Sequence, residues 1–271
     1  MYRVSLIISI LLFYQHYFSQ ILFDQGATST AICGANVTQT DVWSINNNIG
    51  SLAQIESISL GVSINNRFLI SDFSTGALAF VLPVKKGAFG FNYSNFGNQN
   101  YAIHSSGLGY AMHLGENFSA GIKINYLFLD LGENYGSRSI FSADIGLNSH
   151  LSSALTMGVV LKNPTLSKLS EFDDERIPTS IQIGLDYAVS DQLNTIISFE
   201  KDLLFPSSIR AAILYSPVES IILRGGVGTN PTSFGFGIGA NIRKFTIDIG
   251  SQYHQILGFS PEISISTNLH K

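Results

Sequence analysis

Two glycine-rich stretches are the first candidates for chemistry in this 271-residue chain: RGGVGTN at 224–230 and GFGIGA at 235–240. The backbone N–H groups of a glycine turn can hold a phosphate where a strand passes through the turn into a helix. Neither stretch is followed by a helical pattern. We therefore interpret these glycines as inward-facing strand residues that leave room for a closely packed segment or a bulge.

The titratable residues form no recognisable catalytic or metal-binding pattern. The histidines beyond residue 20 have no ligand spacing, and there is no H-E-x-x-H, C-x-x-C or G-x-S-x-G motif. Cys33 is the only cysteine, so no intrachain disulfide can form, and we interpret it as a packing residue. We predict no catalytic residue, no cofactor, no metal site and no enzymatic activity. These histidines are His104, His113, His150, His254 and His270.

An acidic stretch, SEFDDERIP at 170–178, allows two interpretations. Its carboxylates could bind calcium or contact lipopolysaccharide through a bridging cation. Alternatively, it is a solvated loop in which Arg176 pairs with a neighbouring acid.

Composition and the N-terminus indicate an exported protein. Hydrophobic residues make up 45% of the chain and charged residues 13%, and the net charge of −4 argues against a nucleic-acid partner. Arg3 precedes an apolar run from Val4 to Tyr14, which is too short to span a bilayer. We predict a signal peptide over residues 1–20, removed during export.

The remaining chain alternates between apolar and polar residues, which is the pattern of β-strands. In GIKINYLF, for example, Ile122 and Ile124 share one face, and Lys123 and Asn125 share the other. We predict about fourteen strands near 56–64, 73–83, 86–95, 102–114, 117–130, 138–149, 153–163, 179–189, 192–202, 207–216, 219–228, 232–241, 243–254 and 259–269.

The connections between these strands alternate between short and longer, as in bacterial outer-membrane barrels. Closure into a barrel also satisfies every backbone group within a membrane. We therefore predict an all-β fold, a transmembrane antiparallel β-barrel of about fourteen strands over residues 55–271, located in the outer membrane and surrounded by its lipid.

The polar face of each strand should then line the lumen. Mixed charge signs indicate cross-lumen ion pairs, although a role in selectivity or gating is an alternative. The charged residues expected there are Lys123, Asp144, Lys162, Asp186, Glu200, Arg210 and Asp248, accompanied by Asn125, Ser142, Gln182, Arg224 and Gln252.

The polar segment before the first strand, residues 21–54, needs partners for its backbone hydrogen bonds and would find them inside the barrel. Its sequence GATSTAICGANVTQTDVWSINNNIGSLA resembles the N-terminal signature of the FadL superfamily, in particular the Bacteroidota branch typified by PorV and PorQ. The resemblance implies an internal hatch in which Gly34, Asp41, Trp43, Asn48 and Gly50 occupy signature positions. Cys33 and the Asn48-Ile49 pair depart from the signature, which has glycine and Asn-Pro-Ala there.

The resemblance implies two alternative functions. PorV-like proteins are accessories of type IX secretion that bind protein components, whereas FadL-like proteins pass hydrophobic small molecules such as fatty acids. The second alternative requires an apolar pocket, expected near Phe89, Phe91 and Leu108, and a break in the barrel wall. A purely structural barrel is the third.

Overall fold

A computed structural model describes residues 24–132, 136–168 and 177–269. The predicted signal peptide and most of the acidic stretch lie outside these residues. Fourteen antiparallel strands pair with their sequence neighbours, and β1 pairs with β14, so the sheet is a closed barrel. The strands are β1 Ile58–Asn66, β2 Ser74–Val84, β3 Gly87–Gly97, β4 Ala102–His113, β5 Phe118–Asp130, β6 Ser137–His150, β7 Leu155–Lys162, β8 Ser180–Ser190, β9 Leu193–Asp202, β10 Ser208–Val218, β11 Ile221–Gly228, β12 Ser233–Ile242, β13 Phe245–His254 and β14 Gly258–Leu269.

The predicted fold class is confirmed, and each of the fourteen strands begins and ends within two residues of its predicted bounds. The alternation within a strand places apolar side chains on the outside of the barrel. On β5, Lys123 is only 4% exposed, whereas the neighbouring Ile124 is 60% exposed. Such an apolar outer surface is suited to lipid, and the polar side chains are enclosed in the lumen.

Residues 24–54, here called the hatch, lie inside the barrel. The hatch contains two short helices, α1 Ala27–Ala31 and α2 Ser44–Asn47, and a 3-10 helix Ile49–Gln54. Side chains of Asp41 and Asn48 stabilise its turns: Asp41 Oδ1 accepts a hydrogen bond from Trp43 N, and Asn48 Oδ1 accepts one from Gly50 N. Within the described residues, no helix has the length and apolar character needed to cross a membrane.

The expected apolar pocket near Phe89, Phe91 and Leu108 is wrong in its location. All three side chains are exposed on the outer surface of β3 and β4. The pairing of these strands also runs without interruption from Gly87–Met112 to Gly97–Ala102, so the wall is continuous there. Alternation explains the error, because these residues share the outward face with other lipid-facing side chains.

The plugged lumen as candidate functional site

Glycines on the inner faces of the strands form much of the wall surface that the hatch contacts. A methyl group added at Gly146 would lie 2.2 Å from Asn48 Oδ1, and one at Gly158 would lie 2.2 Å from the Val37 carbonyl oxygen. The hatch therefore contacts the wall at distances that no larger residue permits. At eleven wall glycines an added Cβ would lie 2.2–2.8 Å from a hatch atom: Gly61, Gly90, Gly109, Gly121, Gly146, Gly158, Gly184, Gly226, Gly235, Gly237 and Gly250, which include members of both glycine-rich stretches.

Asn48 and Gly50 join the hatch to the wall at β5 and β6. Asn48 is fully buried, and its Nδ2 donates to the carbonyl oxygens of Val37 at 2.6 Å and Leu147 at 2.9 Å. The carbonyl oxygen of Gly50 accepts a hydrogen bond of 2.8 Å from Ser119 Oγ. A Cβ at Gly50 would lie 2.6 Å from the carbonyl carbon of Gly146. This contact therefore requires glycine in the hatch as well as in the wall.

Trp43 and Asp41 lie on the opposite side of the hatch. Trp43 is buried, and its ring packs on Gly26 and Gly61, where a Cβ would come within 2.5 Å and 3.1 Å of ring atoms. Burial raises the pKa of Asp41 to about 6, and the carboxylate of Asp248 contributes in the same direction. The hydrogen bond from Trp43 N opposes these effects without cancelling them.

The first helix of the hatch is held by β14, and the turn that follows it is held by β8. Glu262 accepts hydrogen bonds from Gly26 N, at 3.0 Å, and from Thr30 Oγ1. Gln182 Nε2 donates to the Gly34 carbonyl oxygen at 2.8 Å. Glu262 was not among the predicted lumen residues, although its position on the polar face of the SPEISIS stretch was a signal for it.

Lys123 and Lys162 meet carboxylates within the lumen. Lys123 Nζ lies 4.0 Å from Asp144 Oδ2 and donates a hydrogen bond of 2.9 Å to Asn46 Oδ1 of the hatch. Lys162 pairs with Asp24, also of the hatch. Burial raises the pKa of Asp24, but the positive charges of Lys162 and Arg210 lower it by more. The resulting pKa is below the ordinary value of 3.8.

The other expected lumen charges are also matched by partners. Arg210 forms an ion pair with Glu200, and Arg224 Nη1 lies 2.7 Å from Asp248 Oδ1. The carboxylate of Asp186 accepts hydrogen bonds from Gln39 at 3.2 Å and Asn194 at 3.1 Å. The two ion pairs neutralise their charges locally, whereas Asp186 is held by neutral amides. Charges of both signs therefore line the described lumen.

An apolar cluster occupies the lumen beyond the polar contacts. Ile103 of β4, Leu127 and Leu129 of β5 and Ile140 of β6 pack with Ile177, which belongs to the connection between β7 and β8. A small recess beside this cluster is lined by Ile177 and Pro178 together with polar residues. These are Lys123, Asn125, Ser142, Asp144, Lys162 and Asn163. Sequence alternation places Leu127 and Leu129 on the same face as Lys123. This alternation was the signal for their inward position, although only polar residues were predicted there.

Fold and site together define a closed, membrane-type β-barrel with its own N-terminal segment as a plug. No family model and no curated protein matches the chain. The toluene transporter TbuX of Ralstonia pickettii has a similar fold, with a TM-score of 0.70 at 12% identity over 92% of this chain and 100% of that one. The toluene transporter TodX of P. putida gives 0.71 at 12% identity, over 92% and 100% of the two chains. A Pseudomonas aeruginosa FadL homologue gives 0.61 at 12% identity, over 91% and 98%.

Identities this low establish similarity of fold alone. The closed fourteen-stranded barrel of this chain is similar in fold to FadL-like outer-membrane barrels. These comparisons give no support to the PorV and PorQ branch.

Proposed function

We propose that this protein, after removal of its signal peptide, resides in the outer membrane and lets hydrophobic small molecules pass. Its structural neighbours include two toluene transporters and a FadL homologue, which are non-enzymatic precedents for this function. Of the two functions that the sequence resemblance implies, the proposal adopts the FadL-like one. A type IX secretion role has only the sequence resemblance of residues 26–53 in its favour, so we rank it second.

The observation that carries the proposal is an apolar site in the lumen that the hatch does not fill. Apolar side chains of the hatch, among them Ile45 and Leu52, form one buried cluster with inward residues of the wall such as Ala79. The separate cluster of Ile103, Leu127, Leu129 and Ile140 contains no described hatch residue. A water-filled pore would gain nothing from burying isoleucine and leucine in its lumen. An apolar solute entering such a cluster gains roughly 25 cal/mol for each Å² removed from water.

Passage also requires that the hatch be able to move. The hatch is attached by apolar packing and by individual side-chain hydrogen bonds and ion pairs rather than by a continuous strand ladder. One such bond joins Gln54 Nε2 and Asn148 Oδ1 at 2.7 Å. Each such bond contributes about 1 kcal/mol net, so local displacement of part of the hatch is possible without opening the barrel.

Uptake by cells tests the proposed function. Cells without hydrophobic-compound carriers of their own would express the full chain, and the initial rates of toluene and of oligosaccharide entry would be measured. We expect faster toluene entry and unchanged oligosaccharide entry. Equal toluene entry with and without the protein would contradict the proposal, and faster oligosaccharide entry would indicate an aqueous pore instead.

A reversible lock tests whether the hatch participates. Asn148 Nδ2 donates to Ser51 Oγ at 2.8 Å, so these two side chains meet between the hatch and β6. A short bis-thiosulfonate reagent would cross-link cysteines at both positions, and reduction would release them. The double variant S51C/N148C should lose toluene entry when cross-linked and regain it on reduction. The single variant S51C is the control. Unimpaired entry through the cross-linked double variant would show that this part of the hatch stays in place.

A further inference from the structure

Ile177 differs from the other members of the apolar cluster in its origin. Ile103, Leu127, Leu129 and Ile140 belong to strands β4, β5 and β6, whose positions are fixed by pairing: Leu127 lies opposite Ile140, and Ile103 opposite Leu129. Ile177 comes from a connection, yet it is only 2% exposed. The strands thus form an apolar site in the wall of the lumen, and a side chain from a connection fills it.

One buried asparagine keeps Ile177 in this place. Asn163 Nδ2 donates hydrogen bonds to the Ile177 carbonyl oxygen at 2.9 Å and to Thr179 Oγ1 at 3.1 Å. Its Oδ1 accepts hydrogen bonds from Ser167 N at 3.1 Å and Thr165 Oγ1 at 2.7 Å. The Asn163 side chain therefore ties together the two described ends of the connection, and Ile177 N adds a backbone hydrogen bond of 3.2 Å to the Ser167 carbonyl oxygen.

The first described part of the connection, residues 163–168, contacts β6. The ladder between β6 and β7 ends at the pair Asp144–Lys162, although β6 extends to Ser137. Beyond that pair, Asn163 N donates to the Ala143 carbonyl oxygen at 3.0 Å, and Ser167 Oγ donates to that of Phe141 at 2.6 Å. Displacing Ile177 breaks its described backbone bonds with Asn163 and Ser167, whereas displacing Leu127 would require opening the ladders of β5.

We propose that the cluster formed by Ile103, Leu127, Leu129 and Ile140 is a binding site for an apolar small molecule, and that Ile177 is a resident occupant that the ligand replaces. The inference rests on the proposed function and deepens it. Because a ligand of similar apolar area substitutes for an equally buried side chain, binding is weak and reversible, as passage requires. The ligand class is an alkyl or single-ring aryl compound comparable in size to an isoleucine side chain.

Thiol labelling with toluene as the probe tests the replacement. In I177C the new thiol should react slowly with a maleimide, and toluene should accelerate the reaction several-fold by expelling residue 177 from the cluster. In L127C, whose thiol belongs to a strand of the same site, toluene should slow the reaction or leave it unchanged. The buried native Cys33 of the unsubstituted protein is the reference for general loosening. An unchanged rate in I177C, or acceleration in both variants, would overturn the proposal.

A binding measurement provides the second test. I177A should retain more toluene per barrel than the parent protein in equilibrium dialysis, by about tenfold, because an empty apolar cavity binds small hydrocarbons. I145A is the matched control, since Ile145 faces outward on β6. I177V, with a smaller deletion, should fall between parent and I177A if the alanine variant folds poorly. Equal retention by the Ile177 and Ile145 variants refutes the site.

The two levels of inference fail separately. If toluene accelerates labelling of I177C but cells show no added toluene entry, the site exists and the proposed passage is wrong. If toluene enters the cells but labelling is unaffected, the passage is right and ligand replacement of Ile177 is wrong.

Discussion

Gly50 lies directly against the backbone of β6. An added methyl group would lie 2.6–2.7 Å from backbone atoms of Gly146 and Leu147, which cannot move without disturbing the β6 ladder. We expect Gly50→Ala to destabilise the docked hatch by about 1–3 kcal/mol, the usual cost of overpacking. Fluorescence of Trp43, the only tryptophan, measures this in denaturant because it is buried within the hatch.

Gly76 provides the matched control for this substitution. It also lies in a strand, β2, but an added Cβ has no atom within 4 Å. Gly76→Ala should therefore leave the midpoint of the Trp43 transition unchanged. If both alanine variants shift the midpoint equally, the close approach of Gly50 to β6 is not what limits hatch docking.

Asp41 should make hatch docking depend on pH. Its pKa is raised from 3.8 to about 6, chiefly by burial, so the docked state binds the proton more tightly than the undocked state. This contribution to docking is complete below pH 3.8 and is lost as the pH rises through about 6. Docking of the parent hatch should accordingly be weaker at neutral pH than at mildly acidic pH.

The variant Asp41→Asn isolates this effect because an amide oxygen can still accept the bond from Trp43 N. We expect it to stabilise docking at neutral pH by about 1 kcal/mol, reduced from the full value of the pKa shift because Asp41 is partly exposed. The gain over the parent should vanish towards pH 4. Trp43 transitions of both proteins across this range provide the measurement, and a gain independent of pH would exclude Asp41 titration as its cause.

The residues of the hatch show which features of the site can be predicted from the sequence and which cannot. Asn48 and Gly50 can be selected as signature positions, but the partner of Asn48, the carbonyl of Leu147, cannot. That pairing depends on how a polar segment settles against a strand about a hundred residues away, which no local pattern encodes. Glu262 was predictable from its place on a polar strand face, whereas its bond to Gly26 N was not.

At the scale of elements, the hatch and the barrel differ in how they are stabilised. Neighbouring strands are joined by continuous ladders, as in the pairs from Phe118–Ser149 to Asp130–Ser137. The hatch depends on apolar packing against the wall and on side-chain hydrogen bonds, and those of Asn48 are among the most buried. We infer that it can undock while the strands remain paired.

Asn48→Ala tests this independence. Loss of its bonds to Val37, Leu147 and Gly50 leaves buried backbone groups unsatisfied, so we expect hatch docking to weaken by about 2–4 kcal/mol. The Trp43 transition should move to lower denaturant, while the circular dichroism transition of the strands stays in place. If the two signals move together, the hatch and the barrel unfold as one unit.

The elements also explain where prediction from sequence succeeds and where it ends. Each strand separates lipid from a polar lumen, so period-two alternation is strong and the bounds of β5 or β12 follow from it. A connection has no such constraint. Nothing in the sequence around Ile177 shows that it fills an apolar site formed by β4, β5 and β6, because that placement depends on the side chain of Asn163.

At the scale of the whole molecule, the decisive property is which side of the wall faces lipid. The outward side chains of the strands are largely apolar and exposed, and the polar ones are enclosed with the hatch. In water this arrangement would be unstable because a large apolar surface would remain hydrated. In a bilayer it is stable, and a charge placed on the outer surface carries a cost that depends on depth.

Ile124→Arg tests that orientation for the entire barrel. Ile124 lies in the middle of β5 with its side chain outward, so an arginine there should cost about 2–4 kcal/mol in a membrane and reduce the fraction that folds into lipid vesicles. Leu114→Arg adds the same charge at an equally exposed residue in the connection between β4 and β5, and it should fold like the parent. Folding is measured by the shift in electrophoretic mobility of unheated samples. If Ile124→Arg inserts as efficiently as Leu114→Arg, the outer face of β5 is not in contact with lipid. The barrel would then not span a membrane there, and passage across the membrane through it would be contradicted.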